Sequence, residues 1–311
     1  MNNAAPPAEG ANAAAAKRGR HWRPALAHIS MTILSLILSI LLTVTFTLCL
    51  LQVTVFDESF LRAQINKSRY ETFLRAELMD TLSAYGAADN IGAAVFQGAV
   101  TGDIMKADIY REAGVIYAGG EGADAAAVSQ GFKTAVYAAM TPPGGSLSAD
   151  QKAEADNLAD KCAAAYMSAV NIPFAGQIHD ILLPVKQTNA IGIAGFAAID
   201  AACALVLLFG AKHIVSRRRR SEYIMNAAAG AALILGVPSG YLYFSGLLDR
   251  IPITDPALLT LARQYVNAVL QTAGLFVAIL AVIFVCCLLY RRAYINAKRN
   301  GRRFTLLSHL L

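Results

Sequence analysis

The chain has 311 residues, of which 56% are apolar and 15% charged, with a formal net charge of +6 and a mean hydropathy of +0.46. Soluble domains carry about a quarter of their residues as charges, so this balance excludes one and places the chain in a membrane. Five cysteines, ten prolines and one tryptophan exclude a disulfide-rich module, a collagen-like chain and a large disordered protein.

Residues 1–23 open with Ala, Asn, Pro and Gly. They hold too little large apolar surface to offset the entropy of ordering, and are expected to be a disordered, basic cytoplasmic tail. A first transmembrane helix is expected over residues 24–56, around an apolar run at 31–51. Lys17, Arg18, Arg20 and Arg23 precede that run as they would in a secretory signal. The run is longer than a signal core and no small-residue cleavage site follows it, so an uncleaved signal-anchor is expected.

Residues 57–189 are long enough for a small domain. Phe60, Leu61, Ile65, Phe73, Leu74, Leu78 and Leu82 recur mostly at three- and four-residue spacing. That spacing predicts one amphipathic helix continuing the first span outward. Thr101, Asp124 and Ser148 precede runs of helix formers and read as N-caps. Pro142-Pro143-Gly144-Gly145 is a break, and a last short helix over residues 174–183 is expected to stop at Pro184. No alternating β-branched run is long enough for a strand pair. The fold class read from the sequence is therefore all-α: a four-span helix bundle with a small helical extracytoplasmic domain between spans one and two. Alanine and glycine dominate that insert, which predicts thin packing and a need for a partner or a second copy.

Three further spans are expected at residues 190–211, 227–248 and 266–290, separated by a basic cytoplasmic loop at 212–226 and a short outer loop at 249–265, with a basic cytoplasmic tail at 291–311. Charge sets the orientation. Residues 1–30 carry a net +3, 212–226 +4 and 291–311 +6, whereas 57–189 carries −6 and 249–265 is neutral. Basic and non-basic segments alternate as four spans require, so the positive-inside rule puts both termini in the cytoplasm. Trp22, Tyr241, Tyr243 and Phe244 fall where interfacial aromatic rings are favoured.

Asp200, in the middle of the second span, is the leading candidate for a functional group. An ionised carboxylate there costs on the order of 2.5–3.5 kcal/mol, and no basic side chain lies within the other spans to pair with it. It is expected to be protonated or hydrogen-bonded inside the bundle; contact with a partner subunit and an ion or proton path are the alternatives. The first span offers a hydroxyl stripe of Thr32, Ser35, Ser39, Thr43 and Thr47 at spacings of three and four, which share one helix face. Ala190, Ala194, Ala198 and Ala202 form a small-residue face expected to pack a neighbouring helix, while Gly236 and Gly240, flanking Pro238, are expected to allow a kink and close approach.

Other candidates read as structural. His179-Asp180 lacks a second histidine at ligand spacing, so no metal site is expected. Gly119-Gly120-Glu121-Gly122 reads as a flexible turn and not a phosphate loop, and Asn66-Lys67-Ser68 matches a glycosylation sequon. Cys162 alone falls outside the spans and reads as a small buried hydrophobe. Cys286-Cys287 also reads as packing. Arg217, Arg218, Arg219, Arg220, Arg291 and Arg292 flank spans, where each gains about 1 kcal/mol from an anionic inner leaflet. They are read as lipid or partner contacts, with no nucleic acid involved. No nucleophile elbow, zinc-protease helix, kinase set or nucleotide fingerprint is present, so no enzymatic activity and no cofactor are expected.

The leading functional reading is a non-enzymatic multi-pass protein of a bacterial cell membrane, whose outer helical domain senses, scaffolds or regulates an envelope partner or self-associates. Tetraspanin-like and claudin-like cysteine patterns are absent. The alternative comes from a resemblance. One span, a large outer domain and three closely spaced spans, together with Arg217-Arg218-Arg219-Arg220-Ser221-Glu222-Tyr223-Ile224-Met225, resemble the four-span permease-like subunits of ABC-type complexes that act in efflux or control cell-wall hydrolases in division. That resemblance implies coupling of the basic stretch to a cytoplasmic ATPase.

Overall fold

The computed structural model describes residues 9–142, 144–172, 174–210, 217–246, 253 and 255–299. Among them there is no strand. Ten α-helices follow in order: α1 Glu9–Thr54, α2 Glu58–Ser68, α3 Tyr70–Ala88, α4 Ala94–Gln97, α5 Gly102–Ala118, α6 Ala125–Met140, α7 Ala149–Val170, α8 Ala175–Leu205, α9 Arg217–Phe244 and α10 Pro256–Arg299. A π-helical turn, Val206–Gly210, prolongs α8. Four helices are long and apolar enough to cross a membrane, within His28–Thr54, Ala149–Phe209, Ser221–Phe244 and Pro256–Ala297.

The chain divides into two compact units. An apolar unit comprises Met1–Cys49, Ala190–Phe244 and Leu270–Leu311, and a polar unit comprises Leu50–Asn189 and Ser245–Val269.

The polar unit begins with a departure from the expected continuous helix. After α1 ends, the N–H groups of Val55 and Phe56 both donate to Leu51 O, at 2.9 and 3.0 Å. Asp57 then opens α2 by accepting the Ser59 N–H at 2.9 Å. A second break falls at Arg69, in the left-handed conformation at φ 53° and ψ 36°. Helical phase explains it. Ile65 and Leu74 are nine residues apart, which in an unbroken helix puts them about 180° apart. The left-handed residue resets that phase, and both side chains are buried, at 2% and 7% exposure.

Ile65, Leu74, Leu78 and Leu82 join Phe96, Val100, Met105, Phe132, Val136 and Tyr166 in one core. The expected thinness holds only along α7, where Ala155, Ala159 and Ala163 are buried. Elsewhere large rings fill the space, with Phe132 lying 6.5 Å from Phe96 and 6.1 Å from Tyr166 between ring centroids. Thr101, Asp124 and Ser148 cap α5, α6 and α7, the last through a full capping box with Gln151.

Three other sequence expectations are corrected. α1 already begins at Glu9, inside the tail expected to be disordered; Ala13, Ala14, Ala15 and Ala16 supply strong helix propensity there, and residues 1–8 of that tail lie outside the described residues. α8 runs through Pro184, because one proline removes a single backbone donor while the long helix-forming stretch after it continues the spiral. α10 begins at Pro256, well before the expected span start at residue 266. Asp255 Oδ1 accepts the N–H groups of Ala257 and Leu258 at 2.8 and 3.2 Å, with proline in the favoured first helical position. Most of the expected outer loop is thus a capped helical end. Pro143 and residues 300–311 lie outside the described residues.

Gly86 shows how tightly the polar unit is packed. A Cβ built there would lie 2.6 Å from Ile91 O and 2.8 Å from the Phe96 ring. Gly86→Ala is expected to destabilise the protein by about 1–3 kcal/mol, read as a lowered midpoint in thermal circular dichroism of the full chain in detergent, with Gly92→Ala, where a Cβ meets open space, as the control.

Candidate functional site

The apolar unit is organised on α1. One of its faces packs α8: Leu38 is buried against Leu207 of the π-helical turn, with Leu34, Leu42, Cys203 and Ala204 around them. On this face Asp200 is 8% exposed, and its Oδ2 accepts a hydrogen bond from Thr45 Oγ1 at 2.6 Å. Its other oxygen, Oδ1, is buried with no hydrogen-bond partner. Asp200 is therefore held within the chain by a hydroxyl of the first span, but by a different one from those expected.

The expected stripe faces elsewhere. Ser35 Oγ donates to Tyr223 O on α9 at 2.6 Å, and Ser39 is buried against Gly230, where a Cβ would collide with its hydroxyl. Thr32, Thr43 and Thr47 donate to the carbonyls four residues back, at 2.9, 2.9 and 2.8 Å. Helical hydroxyls satisfy themselves this way whenever no neighbour competes, so spacing alone does not identify a partner. Thr45, two residues from Thr43, lies about 160° around the helix and belongs to the opposite side.

On α9, Gly230 meets Ser39, Ala227 joins the cluster of Leu38 and Leu207, and Ala227, Ala228 and Ala231 are all buried. The sequence reading missed this small-residue face. It selected Ala194, Ala198 and Ala202, which are exposed on α8, as is Ala190. A run of small residues at fourfold spacing marks a face open to close approach but does not say which neighbour takes it. Of the glycine pair on α9, Gly236 seats Val277 of α10, which lies 3.3 Å from an added Cβ, whereas nothing lies within 4 Å of Gly240. Pro238 is exposed inside α9.

Near the ends of the apolar helices, Arg291 forms an ion pair with Glu222 at 3.0 Å, and Arg292 is exposed. His28 Nδ1 lies 2.9 Å from the Tyr223 hydroxyl. Arg217, Arg218, Arg219 and Arg220 form the first turn of α9; their side chains lie outside the described residues.

In the polar unit the weaker candidates have structural roles. His179 Nδ1 lies 3.1 Å from Ile116 O, and the ring abuts Gly119, which has a φ of +73°. The glycine turn closes over α5, where the buried Glu112 accepts the Ala123 N–H at 2.7 Å. Asn66 Oδ1 accepts from Lys106 Nζ at 2.6 Å. Cys162 is fully buried, and burial pushes its thiol up to about 11, which leaves little reactive thiolate at neutral pH. Among the described residues no group of three or more His, Cys, Asp or Glu side chains is placed to hold a metal ion.

Sequence reasoning also missed a buried polar network. The Tyr166 hydroxyl donates to Asp108 Oδ2 at 2.7 Å, and Arg111 pairs with Asp108 Oδ1 at 3.0 Å. Burial, then the Asp108 hydrogen bond, pushes the Tyr166 phenol well above its ordinary range. The only sequence signal was an acid and a base three residues apart on one helix, which is common on solvated faces. Comparison with protein-family models, with curated proteins and with solved structures finds no match to this chain.

Asp200→Asn is expected to preserve the Thr45 contact and the stability of the chain. Asp200→Leu and Thr45→Val are expected to lower stability by about 0.6–2 kcal/mol, the range of hydrogen bonds between membrane helices. Thermal unfolding in detergent reads the difference, and equal midpoints for Asp200→Asn and Asp200→Leu would remove the hydrogen bond from the account.

Proposed function

We propose that this chain is a non-enzymatic multi-pass protein of a bacterial cell membrane, with both termini in the cytoplasm and the polar unit outside, where it senses, scaffolds or regulates an envelope partner. The observation that carries the reading is charge asymmetry. Residues 57–189 bear a net −6 while 1–30, 212–226 and 291–311 bear +3, +4 and +6, and cationic segments resist translocation. The packing supports the same topology. The segments after the first and third apolar helices fall in one compact unit, with Phe60 edge-on to Tyr265 at 5.4 Å and the Tyr265 hydroxyl donating to Thr54 O at 3.3 Å. Segments that touch lie on one side of a bilayer, as four crossings require.

The polar groups of the apolar unit support a static bundle over a transport path. Ser35 and Asp200 are engaged in contacts between helices, Ser39 is buried against Gly230, and the Thr32, Thr43 and Thr47 hydroxyls are closed on their own helix. The second reading, a permease-like subunit of an ABC-type complex, is favoured by α9, which carries Arg217, Arg218, Arg219 and Arg220 on the same continuous helix as the third apolar segment.

Two measurements test the proposal, the first the topology that both readings share and the second the choice between them. Protease added to intact spheroplasts is expected to cut the polar unit and to spare it in inverted vesicles; the reverse pattern would invert the topology. Affinity purification from native membranes in mild detergent is expected to yield an envelope protein and no ATPase. A stoichiometric ATPase that is lost when Arg217, Arg218, Arg219 and Arg220 are replaced by alanine would instead establish the permease-like reading.

A further inference from the structure

The polar unit contains a cleft of about 810 Å³ bordered by α2, α3, α5, the end of α7 and the start of α10. Its size is that of a small-molecule site. Leu61, Ile65, Leu74 and Ile109 form an apolar floor, and Leu258 and Leu261 form a wall. Leu258 remains 46% exposed, which leaves a large aliphatic side chain facing an unfilled space.

The polar groups at this cleft carry charge of one sign. Glu77 and Asp255 line it together with Tyr70 and Tyr85, and no Lys, Arg or His is among the described lining residues. Burial, and then the negative charges of Asp255 and Glu77, raise the Tyr70 phenol above its ordinary range, so both carboxylates act on one point of the cleft. Neither carboxylate has an ion-pair partner among the described residues. Asp255 caps α10 through Oδ1, leaving Oδ2 available. By contrast, the buried or half-buried acids Asp108, Glu112 and Glu58 have partners inside the unit: Arg111 for Asp108, the Ala123 N–H for Glu112 and Arg62 for Glu58.

We propose that this cleft binds a cationic amphiphile, a small molecule with an aliphatic or aromatic body and a protonated amine or quaternary ammonium head. The body fits the leucine and isoleucine walls. The head satisfies Glu77 and Asp255 and faces the tyrosine rings, whose π-electrons attract alkylammonium groups. An anionic amphiphile is rejected by the same two carboxylates, and a neutral one leaves them uncompensated. This deepens the sensing reading by giving the sensed compound a chemical class.

Equilibrium dialysis tests it with the full chain in phosphatidylcholine nanodiscs, octyltrimethylammonium as the probe and empty nanodiscs as the reference. Saturable binding of one probe per chain is expected, with no saturable binding of octanoate. Glu77→Gln alters an exposed side chain, and Asp255→Asn keeps a cap-forming residue; each is expected to weaken binding, by up to about tenfold, through removal of one of the two charges that face the head. Leu258→Trp, which adds bulk to the cleft wall and leaves both carboxylates in the sequence, is expected to weaken it as well. The proposal is overturned if the probe binds no better than to empty nanodiscs, if octanoate binds equally, or if the double variant Glu77→Gln with Asp255→Asn keeps the wild-type affinity while retaining its thermal midpoint. Displacement of the probe by a lysine–leucine peptide at far lower concentration would also overturn it, as the cleft would then be a helix-docking groove. The dialysis does not depend on any protein partner, so its outcome is read separately from the purification that tests the sensing reading.

Discussion

A helix surrounded by hydrocarbon must satisfy its side-chain polar groups from within the protein, and in this chain that requirement falls on α1. Its serine face hydrogen-bonds the backbone of α9 at Tyr223. Its Leu38 and Thr45 side receives Leu207 and Asp200 of α8 and its π-helical extension. Phe46 meets Phe276 of α10 with ring centroids 5.5 Å apart. Packing without a hydrophobic drive between helices favours such an arrangement, in which small residues bring backbones close and hydroxyls such as those of Ser35 and Thr45 find acceptors on a neighbouring helix. Gly230 opposite Ser39 is the tightest instance: any side chain there would displace the serine.

The polar unit solves a different problem, with mostly short helices that are marginal alone and alanine faces that each bury little area. It uses capped ends and one reset of helical phase to collect its large apolar residues on a single core. Arg69 accepts a left-handed backbone, at a cost of about 1–2 kcal/mol, and thereby turns both Ile65 and Leu74 inward. Gly86 plays the complementary part at the end of α3, giving the Ile91 carbonyl and the Phe96 ring the room a Cβ would occupy.

Helix type, the four apolar segments and the caps at Thr101, Asp124 and Ser148 were legible in the sequence, because each depends on residues adjacent along the chain. The failures at Thr45 and on α9 were questions of which neighbour lies opposite, and the others were helix boundaries. Thr45 was passed over because it interrupts a stripe, and Ala227, Ala228 and Ala231 because an equally regular alanine series on α8 was more conspicuous. The break at Arg69 had no local signal, since arginine is a good helix former; only the mismatch in phase between Ile65 and Leu74 pointed to it. Asp255-Pro256 did carry a local signal, a cap followed by a first-turn proline, but it lay inside a segment short enough to pass for a loop.

The acids of this chain divide by environment, and the division separates structure from recognition. Asp108 and Glu112 are buried and partnered, and Asp200 is buried with one oxygen engaged by Thr45. Replacing such a group disturbs packing, and its charge is of little use to a ligand that cannot reach it. Glu77 and the free oxygen of Asp255 have the opposite character: they border open volume, next to apolar walls, without a cation to neutralise them. A carboxylate at the edge of a low-dielectric cleft attracts a cation more strongly than one in bulk water, and two acting together raise that preference without any rearrangement of the fold. In the proposed reading, recognition falls to Glu77 and Asp255 at the cleft of the polar unit, while Asp108, Glu112 and Asp200 are engaged in contacts within the fold.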